Sequence, residues 1–213
     1  MKLIKNSNSL DYQESFVLNV LNEKRNGFYL ELGSAWPIKQ NNTYLLETVY
    51  GWGGIGFEIE KKIAEEYASI RKNKIINANA ISFDYKKYFK ENNVPNQIDY
   101  LQMDLHPAYN TLHALRNLPL DEYRFSVITY EHNVWRGDDL HINIQKESQA
   151  ILKSYGYFLA IENVEEDNGP FEDWWIDPTA VLYKNYSHIV DKNIHYKDIF
   201  IKNNKNRSKN GNN

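Results

Sequence analysis

The sequence predicts an α/β domain in which helices cover both faces of a mostly parallel sheet. Short, strand-sized apolar runs alternate with segments of helical periodicity from about residue 28 to residue 163, and this alternation is typical of parallel sheets. The composition, 42% hydrophobic and 25% charged in 213 residues, is that of an ordinary globular protein. We therefore expect one domain over 1–200, which includes an N-terminal helical segment over 1–27.

The first predicted helix spans 11–24, where Phe16, Val17, Val20 and Leu21 recur at helical spacing. Asn26-Gly27 should end it, since both residues tolerate the left-handed conformation. Six strands follow, each short and apolar, at 28–32, 54–59, 74–81, 98–103, 125–130 and 157–163. The helices between and after them are predicted at 42–50, 61–71, 85–92, 109–117 and 143–154.

The alternation weakens after residue 163. The stretch 165–175 is acidic and aromatic, and neither a helix nor a strand is predicted there. Residues 180–185 are predicted to form a short helix. Residues 201–213 are rich in Lys, Asn, Ser and Gly. Such a composition cannot bury enough apolar surface to fold, so we expect a disordered basic and polar tail.

Composition also excludes several functions. The net charge of -3 argues against a nucleic-acid partner, because phosphate contacts require a basic face. Without cysteine there are no disulfides, thiolate metal sites or cysteine nucleophile. The first 13 residues lack the apolar run of a signal peptide, and no apolar stretch is long enough to span a membrane. We expect a cytoplasmic protein with no membrane partner.

Ligands of open parallel sheets bind beyond the carboxyl ends of the strands. Gly33 follows the first strand, where a glycine allows close backbone approach to a cofactor, although an ordinary turn would look the same. Glu58 ends the second strand, in a position suited to the hydroxyls of a ribose. Together the two residues predict a cofactor that contains a nucleoside.

Two further strands end in polar residues that should meet at one edge of the sheet. Asp104 follows the fourth strand, and Glu131-His132 close the fifth. Such a group can supply a general base, with His132 the best placed and His106 and His141 weaker candidates. Asp104, Glu131 and His132 could alternatively hold Mg²⁺ or Mn²⁺. A third reading is a charged network that only ties the loops together.

Taken in their order along the chain, these motifs resemble those of the FkbM-type methyltransferases. The resemblance covers about residues 9–163. The matching runs are Gln13-Glu14, Gly27-Phe28-Tyr29-Leu30-Glu31-Leu32-Gly33, Asn42-Thr43-Tyr44-Leu45-Leu46-Glu47, Gly51-Trp52-Gly53-Gly54-Ile55-Gly56-Phe57-Glu58, Asn79-Ala80-Ile81, Ile98-Asp99-Tyr100-Leu101-Gln102-Met103-Asp104, and Tyr123-Arg124-Phe125-Ser126-Val127-Ile128-Thr129-Tyr130-Glu131-His132. The resemblance implies a Rossmann-like class I methyltransferase fold with about seven strands. It also implies S-adenosyl-L-methionine as methyl donor and a hydroxyl on a sugar, glycan or small metabolite as acceptor.

The resemblance also assigns cofactor residues. The methionine moiety would be bordered by Glu31, Gly33, Ser34 and Ala35, with Thr43 near its carboxylate. Glu58, followed by Ile59, would hold the ribose, Asn79-Ala80-Ile81 would lie beside the adenine, and Asp104 would lie close to the transferred methyl. The family pattern is broken by Trp36-Pro37 in the first loop and by Leu105-His106-Pro107-Ala108 after Asp104.

Two alternatives remain open. A binding protein on a degenerate methyltransferase fold would fit the Trp36-Pro37 departure. A nicotinamide-dependent oxidoreductase would also use an acid at the end of the second strand, but the chain lacks Gly-x-Gly-x-x-Gly after the first strand. Trp36, Trp135, Trp174 and Trp175 are candidates either for the walls of an acceptor site or for the core.

Overall fold

Eight strands form one mixed sheet in the computed structural model, which describes residues 1–200. In chain order they are β1 (Phe28–Leu32), β2 (Gly53–Glu58), β3 (Lys74–Asn77), β4 (Gln97–Met103), β5 (Arg124–Glu131), β6 (Phe158–Glu166), β7 (Gly169–Ile176) and β8 (Asp191–His195). Their order across the sheet is β3-β2-β1-β4-β5-β7-β6-β8. All neighbours are parallel except β7, which runs antiparallel to both β5 and β6. The predicted α/β class is confirmed.

Helices connect the parallel strands and lie on both faces of the sheet, as βαβ connections require. They are α1 (Gln13–Val20), α2 (Tyr44–Thr48), α3 (Lys61–Ile70), α4 (Tyr85–Glu91), α5 (Tyr109–Asn117), α6 (Asp139–Ser154) and α7 (Tyr183–Tyr186), with a 3-10 turn at Val134–Arg136. No helix within residues 1–200 has the length and apolarity to cross a bilayer. The predicted tail, 201–213, lies outside the described residues.

Two hydrophobic cores flank the sheet because successive side chains of a strand point to opposite faces. On the α1 face, Tyr100 and Trp174 pack with Phe16 of α1. On the α5 face, Leu101 and Trp175 pack with Leu115 of α5. Both tryptophans are fully buried, so of the two interpretations of Trp174 and Trp175, core packing is the one observed.

The N-terminal helix is shorter than predicted, and residues 1–12 are not helical. Tyr12, Asn22 and Glu23 all have positive φ, a conformation that an α-helix cannot contain, so α1 begins at Gln13 and ends at Val20. Residues 1–12, the N-terminal strap, run instead along the residues before α2. Asn8 donates a side-chain hydrogen bond to the carbonyl of Ile38 (2.9 Å), and Ser9 forms a bridge to Gln40.

The acidic and aromatic stretch 165–175 supplies the end of β6, a turn and most of β7. The sequence did not predict β7 because Glu172 and Asp173 interrupt its apolar pattern, yet both are buried. Their partners come from elsewhere in the chain: Gln149 of α6 donates to Asp173 (2.9 Å). The strand β8 was not predicted either, so the sheet has one strand more than the seven implied by the resemblance.

Candidate functional site

A cavity of about 450 Å³ opens at the carboxyl ends of β1, β2 and β4. Its volume is in the range of small-molecule sites, roughly 300–1,000 Å³. The predicted cofactor residues that line it are Gly33, Ala35, Glu58, Ile59, Asn79, Ala80 and Asp104. The sheet therefore brings the loops after these three strands to one concave surface, as open parallel sheets do.

Gly33 fixes the wall between β1 and β4. It has φ of +86°, and an added Cβ would lie 1.8 Å from the carbonyl oxygen of Asp104. The backbone N–H groups of Gly33 and Ser34 donate to the carbonyl of Phe57 in β2 (3.1 and 3.0 Å). The turn after β1 is thus held tightly against both neighbouring strands, and only glycine fits there.

The Glu58 carboxylate is positioned by two backbone N–H groups at the rim of the cavity. Its Oε2 accepts from Ala35 (3.1 Å) and its Oε1 from Glu60 (2.8 Å). An ionised carboxylate offers about four acceptor positions, so each oxygen keeps one for a ligand. A carboxylate fixed in this way is suited to bind the paired hydroxyls of a ribose.

Three of the predicted cofactor residues do not line the cavity. Glu31 is buried, and its carboxylate accepts hydrogen bonds from Asn41 and Thr43 (both 3.1 Å) and from Tyr67 (3.2 Å). Ser34 and Thr43 are buried as well. The side chain of Glu31 points into the α1 face, and none of Glu31, Ser34 and Thr43 is among the residues that line this cavity; the roles that the resemblance implied for them stay predictions.

Arg71, at the end of α3, explains how Glu31 can be buried there. Its guanidinium pairs with Glu47 (2.8 Å) and donates to Thr43 (3.0 Å). Burial raises the pKa of Glu31, while the nearby charge of Arg71 and the hydrogen bonds from Thr43 and Asn41 lower it. The network joins β1, α2 and α3 and is structural.

Asp104 and Glu131 meet at the neighbouring edge of the cavity, together with His106. Ligand atoms of the three side chains lie within 4.8 Å of one another. Burial raises the pKa of Asp104, and burial together with the adjacent Asp104 charge raises the pKa of Glu131 well above its ordinary value. Two carboxyl groups this close cannot both ionise easily, so they share a proton. The nearby His106 lowers the pKa of Asp104 and so opposes part of the effect of burial.

His132 lies apart from this pair. It is fully buried, its Nδ1 accepts from the backbone of Val134 (3.2 Å), and its Nε2 lies 3.4 Å from Asp173. Consecutive residues along an extended chain point to opposite faces, so Glu131 lies beside Asp104 while His132 turns into the interior. Of the metal ligands considered, Asp104 and Glu131 come together, and among residues 1–200 the histidine beside them is His106.

His106 lies beside the carboxyl pair, although the sequence ranked it below His132. It is exposed and lines both the main cavity and an adjoining one of about 170 Å³. Its position two residues after Asp104 is the sequence feature that could have indicated its place beside the pair. His141 lines only the smaller cavity, with Nδ1 2.7 Å from Asp138. Trp36 and Trp135 are 56% and 40% exposed, so both stay candidates for contact with an acceptor.

Comparisons with known proteins support the fold. The chain is similar to the O-methyltransferase from Bacillus cereus solved with SAH (TM-score 0.53, 16% identity, 82% of this chain and 84% of that one). It is also similar to a protein assigned as an rRNA methylase from Clostridium thermocellum (0.53, 13%, 81% and 99%). A third is the fibrillarin from Aeropyrum pernix solved with S-adenosyl-L-methionine (0.50, 12%, 76% and 74%).

No protein-family model and no curated protein matches the chain. The structural likeness is at low identity and identifies the architecture alone. The chain has the Rossmann-like fold of S-adenosylmethionine-dependent methyltransferases.

Proposed function

We propose that the protein is an S-adenosyl-L-methionine-dependent O-methyltransferase of the FkbM type, acting on a hydroxyl of a sugar, glycan or small metabolite. One observation carries the proposal: a single cavity is lined both by the fixed Glu58 carboxylate and by Asp104, whose carboxyl group lies beside that of Glu131. The first group suits a nucleoside, and the second suits proton removal from an acceptor. The fold shared with structures of methyltransferases supports the same reading.

The residues of the cavity fit the cofactor. Glu58 would hold the ribose hydroxyls, and Asn79 and Ala80, which line the wall beside it, would border the adenine. Gly33 and Asp104 would border the methionine end. When bound, S-adenosyl-L-methionine supplies an electrophilic methyl group on a sulfonium. The protein's own contribution is to align the acceptor with it, which can be worth several kcal/mol.

The Asp104–Glu131 pair would remove the acceptor proton. Asp104 in its ionised form accepts the proton of the hydroxyl oxygen, and its raised pKa brings it closer to neutrality than an ordinary aspartate. A base of this kind contributes about 10²–10⁴-fold in rate. His106 and Asn133, which donates to Glu131, orient the pair.

A divalent cation is the second version of this site. Asp104, His106 and Glu131 offer oxygen and nitrogen ligands, a set that suits Mg²⁺ or Mn²⁺. In that version EDTA should abolish activity and Mg²⁺ or Mn²⁺ should restore it. Unchanged turnover in EDTA would mean that the carboxyl pair removes the acceptor proton without a cation.

Ligand titration tests the proposal directly. Calorimetry with S-adenosylhomocysteine (SAH) should show saturable binding in the micromolar range. No heat and no thermal shift with SAH or S-adenosyl-L-methionine, together with a shift on NADH, would favour the oxidoreductase. Binding of SAH without methyl transfer to any hydroxylated acceptor would favour the degenerate binding protein.

Glu58→Ala should weaken SAH binding by roughly 1–3 kcal/mol, the cost of hydroxyl donors left without a charged acceptor. Glu66→Ala, on the exposed side of α3, is the matched control and should leave affinity unchanged. If Glu58→Ala binds SAH as the parent does, the ribose lies elsewhere.

A further inference from the structure

Beyond the Asp104–Glu131 pair, three more carboxyl groups continue across the α1 face of the sheet. Glu172 in β7 lies directly opposite Glu131 in β5. Asp11 of the N-terminal strap interacts with Glu172 and shares a hydrogen bond with Glu166 at the end of β6. We call Asp104, Glu131, Glu172, Asp11 and Glu166 the acid row.

The acid row has few matching cations. His106 lies near Asp104 at one end, and Lys197 lies near Asp11 towards the other. In the middle, Glu172 is 4% exposed and accepts hydrogen bonds from the Trp174 indole (2.6 Å) and from Gln13, both neutral donors. Burial raises the pKa of Glu172 well above its ordinary value. Buried carboxyl groups without cationic partners are costly, so a row of them requires either bound protons or a ligand.

Gln102 gives an independent indication of a ligand. It is 4% exposed, and its Oε1 has no hydrogen-bond partner within residues 1–200. Gln102 lies in β4, two residues before Asp104, and pairs with Thr129, which lies two residues before Glu131 in β5. Its side chain therefore stands on the same face, one pleat below the carboxyl pair. A hydrogen-bond donor is missing at a place where the surrounding side chains supply mainly acceptors.

We propose that the methyl acceptor carries a protonated amine, which binds in the acid row while its hydroxyl lies at the Asp104–Glu131 pair. The inference rests on the proposed function and names its substrate class. An ammonium offers three donors and no acceptor, which matches the carboxyl groups and Gln102 Oε1. Asp104 and Glu166 at the two ends are only partly buried, so both ends of the row are open to a ligand.

The test compares amines with neutral analogues that have the same hydroxyls. Glucosamine and N-acetylglucosamine form one pair, and ethanolamine and N-acetylethanolamine form the second. Each is titrated by calorimetry, with and without saturating SAH. We expect saturable binding of the amines and binding of the neutral analogues weaker by roughly 10–100-fold, the worth of a charged hydrogen bond.

Glu172→Gln should reduce amine binding by a similar factor without reducing SAH affinity. It keeps the shape of the side chain and can still accept from Trp174. Glu91→Gln, exposed on α4, is the control and should change neither affinity. Gln102→Leu, which removes the unpaired oxygen, provides a second variant should Glu172→Gln fail to fold.

Three results would overturn the proposal. The first is equal binding of amines and neutral analogues, and the second is no saturable binding of either amine. The third is amine binding that Glu172→Gln and Gln102→Leu both leave intact. Absence of SAH binding would instead contradict the proposed function itself, so the two failures can be distinguished.

Discussion

At the scale of single residues, two adjacent positions have opposite environments. Glu131 lies beside Asp104, which raises the pKa of Glu131, whereas His132 is fully buried against Asp173. Burial raises the pKa of Asp173, but hydrogen bonds from His132, the Asn163 backbone and Gln149 outweigh it and hold that pKa below its ordinary value. The environment of His132 is that of a structural histidine, and His106 takes the place beside the carboxyl pair.

This difference predicts distinct mutant phenotypes. His132→Ala should lower the free energy of unfolding by about 1–3 kcal/mol, because Asp173 loses a buried partner. His106→Ala should instead lower kcat while the free energy of unfolding stays within about 0.5 kcal/mol of the parent. Denaturant unfolding and a methyl-transfer assay measure the two effects. A stable His132→Ala protein with turnover reduced about 10²–10⁴-fold would make His132 the base after all.

At the scale of elements, the turn after β1 decides the shape of the cavity. Gly33 has positive φ and no room for a Cβ, because the carbonyl of Asp104 after β4 lies against it. The loops after β1 and β4 are therefore coupled through backbone contact. A side chain at position 33 would push apart the two strand ends that form the cavity wall.

Gly33→Ala should therefore cost more stability than positive φ alone explains. Gly156→Ala is the matched control, since Gly156 has φ of +80° but nothing within 4 Å of an added Cβ. We expect the control to cost about 1–3 kcal/mol, the strain of that backbone conformation, and Gly33→Ala to cost more and to weaken SAH binding. Equal losses of stability, measured by chemical denaturation, would show that the loop yields without strain.

At the scale of the whole molecule, buried carboxyl groups set the dependence of stability on pH. Burial raises the pKa of Asp11 to about 8 and that of Glu14 to about 7. Glu14 accepts hydrogen bonds from the backbones of Asn8 and Ser9, so it fastens the N-terminal strap. Raised pKa values mean that the folded state binds more protons than the unfolded state. Their stabilising contribution is complete below the unfolded pKa and is lost as pH rises through the folded pKa.

The free energy of unfolding should therefore fall between about pH 5 and about pH 8. Asp173 and Asp177, whose pKa values are lowered, act in the opposite direction and lose stabilisation only at more acidic pH. Glu14→Gln should flatten the slope by up to about 1.4 kcal/mol per pH unit, and Glu91→Gln should not. Denaturant titrations across this range test both variants. A slope that Glu14→Gln leaves unchanged would mean that Glu14 ionises as freely as an exposed glutamate.

The sequence by itself determined the alternation of strands and helices, and with it the edge of the sheet where ligands bind. Apolar periodicity is a local property, so β1, β2, β4 and β5 lie close to their predicted positions. Gly33, Glu58 and Asp104 were found because each directly follows or ends such a strand. Their common cavity is a consequence of parallel topology, which the sequence already predicts.

Only the tertiary structure decided which polar residues face that cavity. Glu31 turns inward because Arg71, forty residues later in the chain, comes to lie beside it. The charged strand β7 forms because two other elements accommodate it. The helix α6 supplies a hydrogen-bond partner to Asp173, and β5 pairs with β7 beside Glu131. A side chain's burial and pKa depend on groups distant in sequence. Local pattern cannot encode them, and for that reason the sequence predicted the edge of the sheet that carries the candidate site but did not separate Glu131 and His106 from His132.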